Sequence, residues 1–308
     1  MMSSQAPAVK RRIGDLVFSN LALSSGVTIL VILAAVAIFL FAESLPAFLS
    51  QQDAAPDGFF AYVAPFLFGT VLASLIALLI ATPLAIGIAL YISHFAPRRV
   101  SQFLGYSIDL LAAIPSVVYG LWGILVLAPF LNPSYLWLNE NLGWMPFFVG
   151  PVSATGRTMM TVGIVLAIMI LPIMAALIRE IFLQTPRLHE EAALALGATR
   201  WEVIKMAVLP FGKAGIISSA MLGLGRALGE TMAVALVLSG SGVFTFALLT
   251  STNPNTIAAN IALQFPESSG TYTSLLIATG LVLFAITMAI NMLARWVISR
   301  RSEFSGAN

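Results

Sequence analysis

Six apolar stretches, separated by polar segments, set the pattern of this 308-residue chain: 21–42, 62–93, 103–130, 157–183, 213–240 and 272–298. A helix rises about 1.5 Å per residue, so about 20 apolar residues cross the hydrocarbon core of a bilayer. Each stretch meets that length, and the pattern predicts six transmembrane helices. Pro83, Pro115 and Pro172 lie inside three of them. Proline removes a backbone donor, so kinks are expected there, tolerated where neighbours satisfy the freed carbonyls. Tilt or a cytoplasmic extension absorbs the surplus length.

One polar segment is strongly patterned. Residues 184–212 read QTPRLHEEAALALGATRWEVIKMAVLPFG. Thr185 before Pro186 predicts an N-cap with proline at the first helical position, and a helix to about Leu196. Gly197 suits a helix stop, where a positive φ is often required. Thr199 with Glu202 forms a capping box that starts a second helix. That helix is expected to turn Trp201, Ile204 and Val208 to one face and to end near Leu209-Pro210. Two short helices meeting at a glycine make a protruding knob. Residues 255–264 predict a further short surface helix. The loop 131–156, with Trp137, Trp144, Phe147 and Phe148, reads as an interfacial aromatic belt or as a docking surface for an outer partner.

Composition agrees with a lipid-embedded chain. It is 59% hydrophobic and 9% charged, with mean hydropathy +0.97, whereas soluble proteins carry about 25% charged residues. With no cysteine, disulfides, thiol catalysis and Cys-containing zinc sites are excluded. His94 and His189 both fall in predicted loops, so no metal site is expected. Lys10, Arg11 and Arg12 precede the first apolar run as in a signal peptide. That run is longer than an h-region of about 7–15 residues and lacks a clear small-residue cleavage site, so it reads as a retained helix.

The basic residues set the expected orientation. Lys10, Arg11 and Arg12, then Arg98 and Arg99, then Arg179, Arg187, Arg200, Lys205 and Lys213, then Arg295, Arg300 and Arg301 fall on one side if the spans alternate. Positive loops face the cytoplasm. Both termini are therefore expected inside, residues 1–20 forming a cytoplasmic N-terminal segment of a single transmembrane domain. Loops 43–61 and 241–271 contain no Lys or Arg. Arg157 is the exception, at the outer edge of span four.

Span five carries charge where lipid disfavours it. Arg226 lies about 20 Å of helix beyond Lys213, and an Arg at mid-span costs about 2.5–3.5 kcal/mol even on lenient insertion scales. Glu230 at i+4 is expected on the same face. Ser219, Gly223, Arg226, Glu230, Ala233 and Val237 would form one polar or small stripe, and Gly225 with Gly229 a G-x-x-x-G for close helix approach. The pair either knits the bundle or forms an anion site, since a guanidinium offers planar bidentate donors. Asp109, near the cytoplasmic end of span three, reads as a helix-end or interface residue. The phosphate-cradling loop of ATPases is absent: Gly212-Lys213 is followed by Ala214, and Ala207 stands at the first glycine position.

The 184–212 loop resembles that of bacterial ABC importer permeases, whose pattern is EAA, then Gly, then Ile-x-Leu-Pro at fixed spacing. Here Glu191-Ala192-Ala193, Gly197 and Leu209-Pro210 match, while Ala207 replaces the Ile. GLGRALGETMAV (223–234) and NPNTIAANIALQF (253–265) are similar to the phosphate-specific branch of that family. The resemblance implies an all-α membrane protein with a type I importer permease fold, located in a bacterial inner membrane. Its coupling residues would be Glu191, Ala192, Ala193, Gly197, Leu209 and Pro210, and its pathway residues Arg226 and Glu230. Implied partners are a second, PstA-like permease, a dimeric PstB-like ATPase and an extracytoplasmic PstS-like phosphate-binding protein. ATP and magnesium would be used by the ATPase, with no cofactor in this chain. A PstA-like subunit, a permease for another oxyanion, a secondary anion transporter and a membrane scaffold or sensor subunit stay open as alternatives.

Overall fold

Eight of the twelve α-helices of the computed structural model, which describes residues 13–49, 55 and 58–302, make up six membrane-length segments. Those segments are Val17–Leu49, Phe59–Phe95, Ser116–Leu142, Met159–Leu183, Arg200–Leu228 and Thr271–Trp296. In chain order the helices are α1 (Ile13–Leu49), α2 (Phe59–Leu90), α3 (Arg98–Ala112), α4 (Ser116–Trp122), α5 (Ala128–Leu142) and α6 (Met159–Leu183). There follow α7 (Arg187–Ala195), α8 (Arg200–Val203), α9 (Leu209–Leu228), α10 (Met232–Val237), α11 (Ile257–Gln264) and α12 (Thr271–Ser302). Lys10, Arg11 and Arg12, with the rest of 1–12, lie outside the described residues.

The core sits between α2 and α6. Ala73, Ala77, Ala81, Ala85 and Ala89 recur every fourth residue on α2 and are fully buried. A stripe of that period lies along one helix face, and methyl side chains let the α6 backbone come close. Met159, Leu166, Met169, Ile170, Met174 and Ile178 of α6 fill the space opposite. Between helices in lipid the drive is such dispersion packing, because acyl chains are as apolar as the side chains. α9 packs on α6 and α2, α10 on α4, and α1 along α12.

Two predicted spans and one predicted surface helix are corrected. The third span is Ser116–Leu142, not 103–130. Residues 98–112 form the separate helix α3, whose polar Ser101, Gln102, Ser107 and Asp109 interrupt any apolar span. Pro115 ends it rather than kinking it: Ala113 closes the last turn, and a residue before proline is pushed out of helical geometry. The fifth span does not run to 240, since α9 stops at Leu228. Residues 257–264 are helical as expected but not superficial. Ile257 and Ala259 are fully buried, and the Ile257 amide donates to Thr70 Oγ1 at 3.0 Å. Gly69 lies under the Asn255 carbonyl, where any side chain would collide.

A small framework orders the chain after α10. Gly240–Ser241 pairs in parallel with Asn253–Pro254, in the register Gly240 to Asn253. Buried Asn253 accepts the Met159 amide at 3.2 Å and donates to the Thr250 carbonyl at 2.6 Å. Arg157, exceptional in the charge pattern, is used structurally. Its Nη2 donates to the carbonyls of Leu236 and Leu238 at 3.2 and 3.3 Å, at the C-terminal end of α10.

Candidate functional site: an arginine groove and a helical knob

Arg226 stands two residues before the end of α9, where the helix breaks. Gly229 closes α9, Glu230 and Thr231 are non-helical, and α10 starts at Met232. Glycine weakens a helix by about 1 kcal/mol relative to alanine, and two glycines flank Arg226 closely. Glu230 then supplies an alternative bond: its Oε1 accepts the Ala233 amide at 3.1 Å. The carboxylate thereby satisfies one of the donors left free at the start of α10.

This corrects the expected pair. Arg226 and Glu230 do not share one helical face, because no helix connects them. Among the described residues the ion pairs are His94–Glu190 and Arg179–Glu180. Of the expected stripe, Ser219, Gly223, Ala233 and Val237 are buried, and Gly223 lies against Met174 of α6. Arg226 is turned aside from it. With Ser218, Leu222 and Gly225 it lines an open groove of about 550 Å³, whose other walls are Ile173 of α6 and Asn291, Ala294 and Arg295 of α12. Gly225 and Gly229 are exposed, and a side chain at either would meet no other element among the described residues. Their G-x-x-x-G is thus uncovered by the described helices.

The knob has the expected glycine and the expected capping box. α7 ends at Ala195, Gly197 takes φ +87°, and Thr199 restarts the chain. Thr199 Oγ1 accepts the Glu202 amide at 3.4 Å, while Glu202 Oε2 accepts the Thr199 amide at 2.7 Å. Three details differ. Thr185 makes no cap, because α7 begins one residue later, at Arg187 after Pro186. Leu209-Pro210 ends nothing: a π-helical turn, Ile204–Val208, joins α8 to α9, and Pro210 falls in the first turn of α9. A wider π turn gives room for the ring that would otherwise strike the preceding turn. Trp201 is not on the buried face of Ile204 and Val208. It is half-exposed, with Lys205 Nζ 5.1 Å from its ring centre.

The knob is tied to the bundle by a residue that sequence reasoning passed over. His94 lies in the π-helical turn Tyr91–Phe95 after α2, and its Nε2 lies 3.6 Å from Glu190 Oε1 on α7. Ser93 Oγ holds the other ring nitrogen at 2.6 Å. No spacing in the sequence signals this contact, since 94 and 190 meet only once α2 and α6 are packed. Glu191 and Ala192 are exposed on α7, Ala193 is buried, and Leu188, Leu194 and Leu196 are exposed apolar residues around them. His189 lies in α7 rather than in a loop. Asp109 lines a shallow pocket of about 230 Å³ with Ser101, Gln102, Tyr106 and Arg179, away from the Arg226 groove.

Known proteins resemble this chain along most of its length. It is 45% identical over 298 residues to the phosphate transport system permease protein PstC 2 of Mycobacterium tuberculosis (strain ATCC 25618 / H37Rv), covering 92% of this chain and 91% of that protein. It is 39% identical over 320 residues to PstC of Mesorhizobium japonicum, covering 99% and 96%. The family model described as binding-protein-dependent transport system inner membrane component matches residues 81–303. The chain belongs to that family, among its PstC-type permeases. The permease is thus a multi-pass inner-membrane protein with a transport role. Its fold is that of ABC importer permeases: a crystal structure of a bacterial ABC transporter involved in the import of the acidic polysaccharide alginate aligns with TM-score 0.58 at 17% identity, covering 93% of this chain and 96% of that one.

Proposed function

We propose that the chain is the permease subunit of an ATP-driven phosphate importer and forms half of the translocation pathway. The observation that carries the substrate is the extent of identity to permeases whose names specify phosphate transport. The chemistry is compatible with it. Arg226 presents a guanidinium to an open groove beside a helix break, and a guanidinium binds oxyanions through two parallel N–H donors. Glu230, at the break, holds the backbone that orients the end of α9.

The other half of the pathway is assigned to a second, PstA-like permease. The exposed Gly225 and Gly229 suit its approach, because glycines let helices meet closely. The α7–α8 knob, with Glu191, Ala192, Ala193 and Gly197 at its tip and Leu209 and Pro210 at its base, is assigned to docking on a dimeric PstB-like ATPase. An extracytoplasmic PstS-like protein delivers the anion. ATP and magnesium act on the ATPase, and no hydrolytic step is assigned to this chain. On this reading ATP-driven closure of the motors moves the knob, and the His94–Glu190 contact passes the movement to α2. The test is Arg226→Gln in the assembled importer. Phosphate uptake should fall at least tenfold at normal expression, and normal uptake would refute the pathway role.

A further inference from the structure

The Arg226 groove contains a second guanidinium. α12 starts beside α11, at the end of the molecule that carries the Gly240–Asn253 pairing, and runs 32 residues away from it. Its C-terminal part therefore lies toward the opposite end, where α7, α8 and the start of α9 are found. α9 runs the other way, so Arg226 is the deeper residue and Arg295 lies nearer the knob. Both line the same groove of about 550 Å³.

The remaining walls sort by chemistry. Asn291 is one turn before Arg295 on α12, on the same face, while Ser218 lines the groove from α9 with its hydroxyl donating to the Ala214 carbonyl at 3.0 Å. Ile173, Met221, Leu222 and Ala294 supply the apolar surface, and no carboxylate lines the groove. Neither arginine takes part in the two ion pairs found among the described residues. Two cations with an amide donor, and no acid in the lining to neutralise them, form a groove whose fixed charge calls for an anion. A basic residue that merely reached the lipid surface would not need to share a walled groove with another arginine.

We propose that Arg295, with Asn291, forms a second oxyanion contact between Arg226 and the knob end, to which an anion passes after leaving Arg226. The proposal rests on the reading of Arg226 as an anion contact. The ligand chemistry is that of a small tetrahedral oxyanion, which inorganic phosphate or an anionic lipid headgroup would both present. Free phosphate is favoured because the groove leads away from Arg226 rather than standing alone at the surface.

The experiment uses the assembled importer, nucleotide-free, in phosphatidylcholine nanodiscs, where no anionic headgroup competes. Equilibrium binding of labelled inorganic phosphate is compared for the parent, Arg295→Gln, Arg295→Lys and Arg226→Gln. Arg295→Gln should weaken binding about tenfold, and Arg295→Lys should give an intermediate loss at the same complex yield, because lysine keeps the charge without the fork. In proteoliposomes Arg295→Gln should lower kcat for uptake and leave KM for external phosphate unchanged, since capture occurs at the other end. If Arg226→Gln loses binding while Arg295→Gln stays within twofold of the parent in binding and kcat, the second contact is refuted and the Arg226 reading stands. If Arg226→Gln binds normally, the Arg226 reading fails and the hand-over fails with it. If Arg295→Gln changes only the retention of phosphatidylglycerol in mixed-lipid discs, the groove is a headgroup site and the proposal is overturned.

Discussion

Glu230 offers a perturbation whose size follows from the geometry. Its Oε1 accepts the Ala233 amide at 3.1 Å, with Glu230 8% and Ala233 1% exposed. Water cannot readily replace the acceptor there. Glu230→Ala therefore leaves a buried donor unsatisfied, which costs about 1–3 kcal/mol. Glu230→Gln keeps an oxygen in place and removes only the charge. It should hold stability within about 0.5 kcal/mol of the parent, half the about 1 kcal/mol of a typical bond. Glu230→Asp is one methylene short and should fall with alanine. The assay is the unfolding midpoint of the purified complex in a mixed-detergent titration, alongside phosphate uptake. The predicted order is parent and Gln together, above Asp and Ala. Uptake separates the charge from the bond: a pathway role for the carboxylate predicts that Glu230→Gln is stable yet impaired in transport. An alanine variant as stable as the parent would refute the reasoning, because the bond would then carry nothing.

Other predictions follow from named contacts. Gly197 sits at φ +87°, which proline's ring excludes, so Gly197→Pro should weaken co-purification of the ATPase; unchanged association would sink the docking assignment. Arg157→Met should destabilise the complex by about 1.5–3 kcal/mol, the usual worth of hydrogen bonds to a charged group, because it uncaps the Leu236 and Leu238 carbonyls. An unchanged unfolding midpoint would show that those bonds are not stabilising. Reporter tags on both termini should read cytoplasmic, and an external C-terminus would overturn the orientation.

Much of the architecture was legible because lipid simplifies the code. Backbone groups inside a bilayer must be satisfied within a helix, so long apolar runs translate into helices with few alternatives. Spans two, four and six accordingly match within a few residues. The knob was legible for a local reason: Gly197 and the Thr199–Glu202 box are short-range devices. Hydropathy failed where apolar character continued but helix did not. The 103–130 window smoothed over Pro115, and the 213–240 window smoothed over Gly229–Thr231, where a side-chain bond from Glu230 replaced a backbone one. The alanine stripe on α2 went unnoticed inside a uniformly apolar stretch, and it marks the side of α2 that faces α6. Nothing in the sequence announced Arg295 beside Arg226, or His94 against Glu190. Both contacts join residues far apart in the chain and exist only after packing.

The G-x-x-x-G shows how a sound local rule can be right about geometry and silent about the partner. Gly225 and Gly229 do leave a smooth surface, but among the described residues no helix covers it. In the proposed assembly that surface belongs to the interface with the second permease, beside the groove that Arg226 and Arg295 share.

The central claim is phosphate import, and uptake of labelled phosphate tests it most directly. Cells carrying the complete importer should accumulate label, and cells lacking only this chain should not. Labelled sulfate and molybdate should enter equally poorly in both. Undiminished phosphate uptake without the chain, or uptake of sulfate or molybdate that depends on it as strongly, would contradict the account.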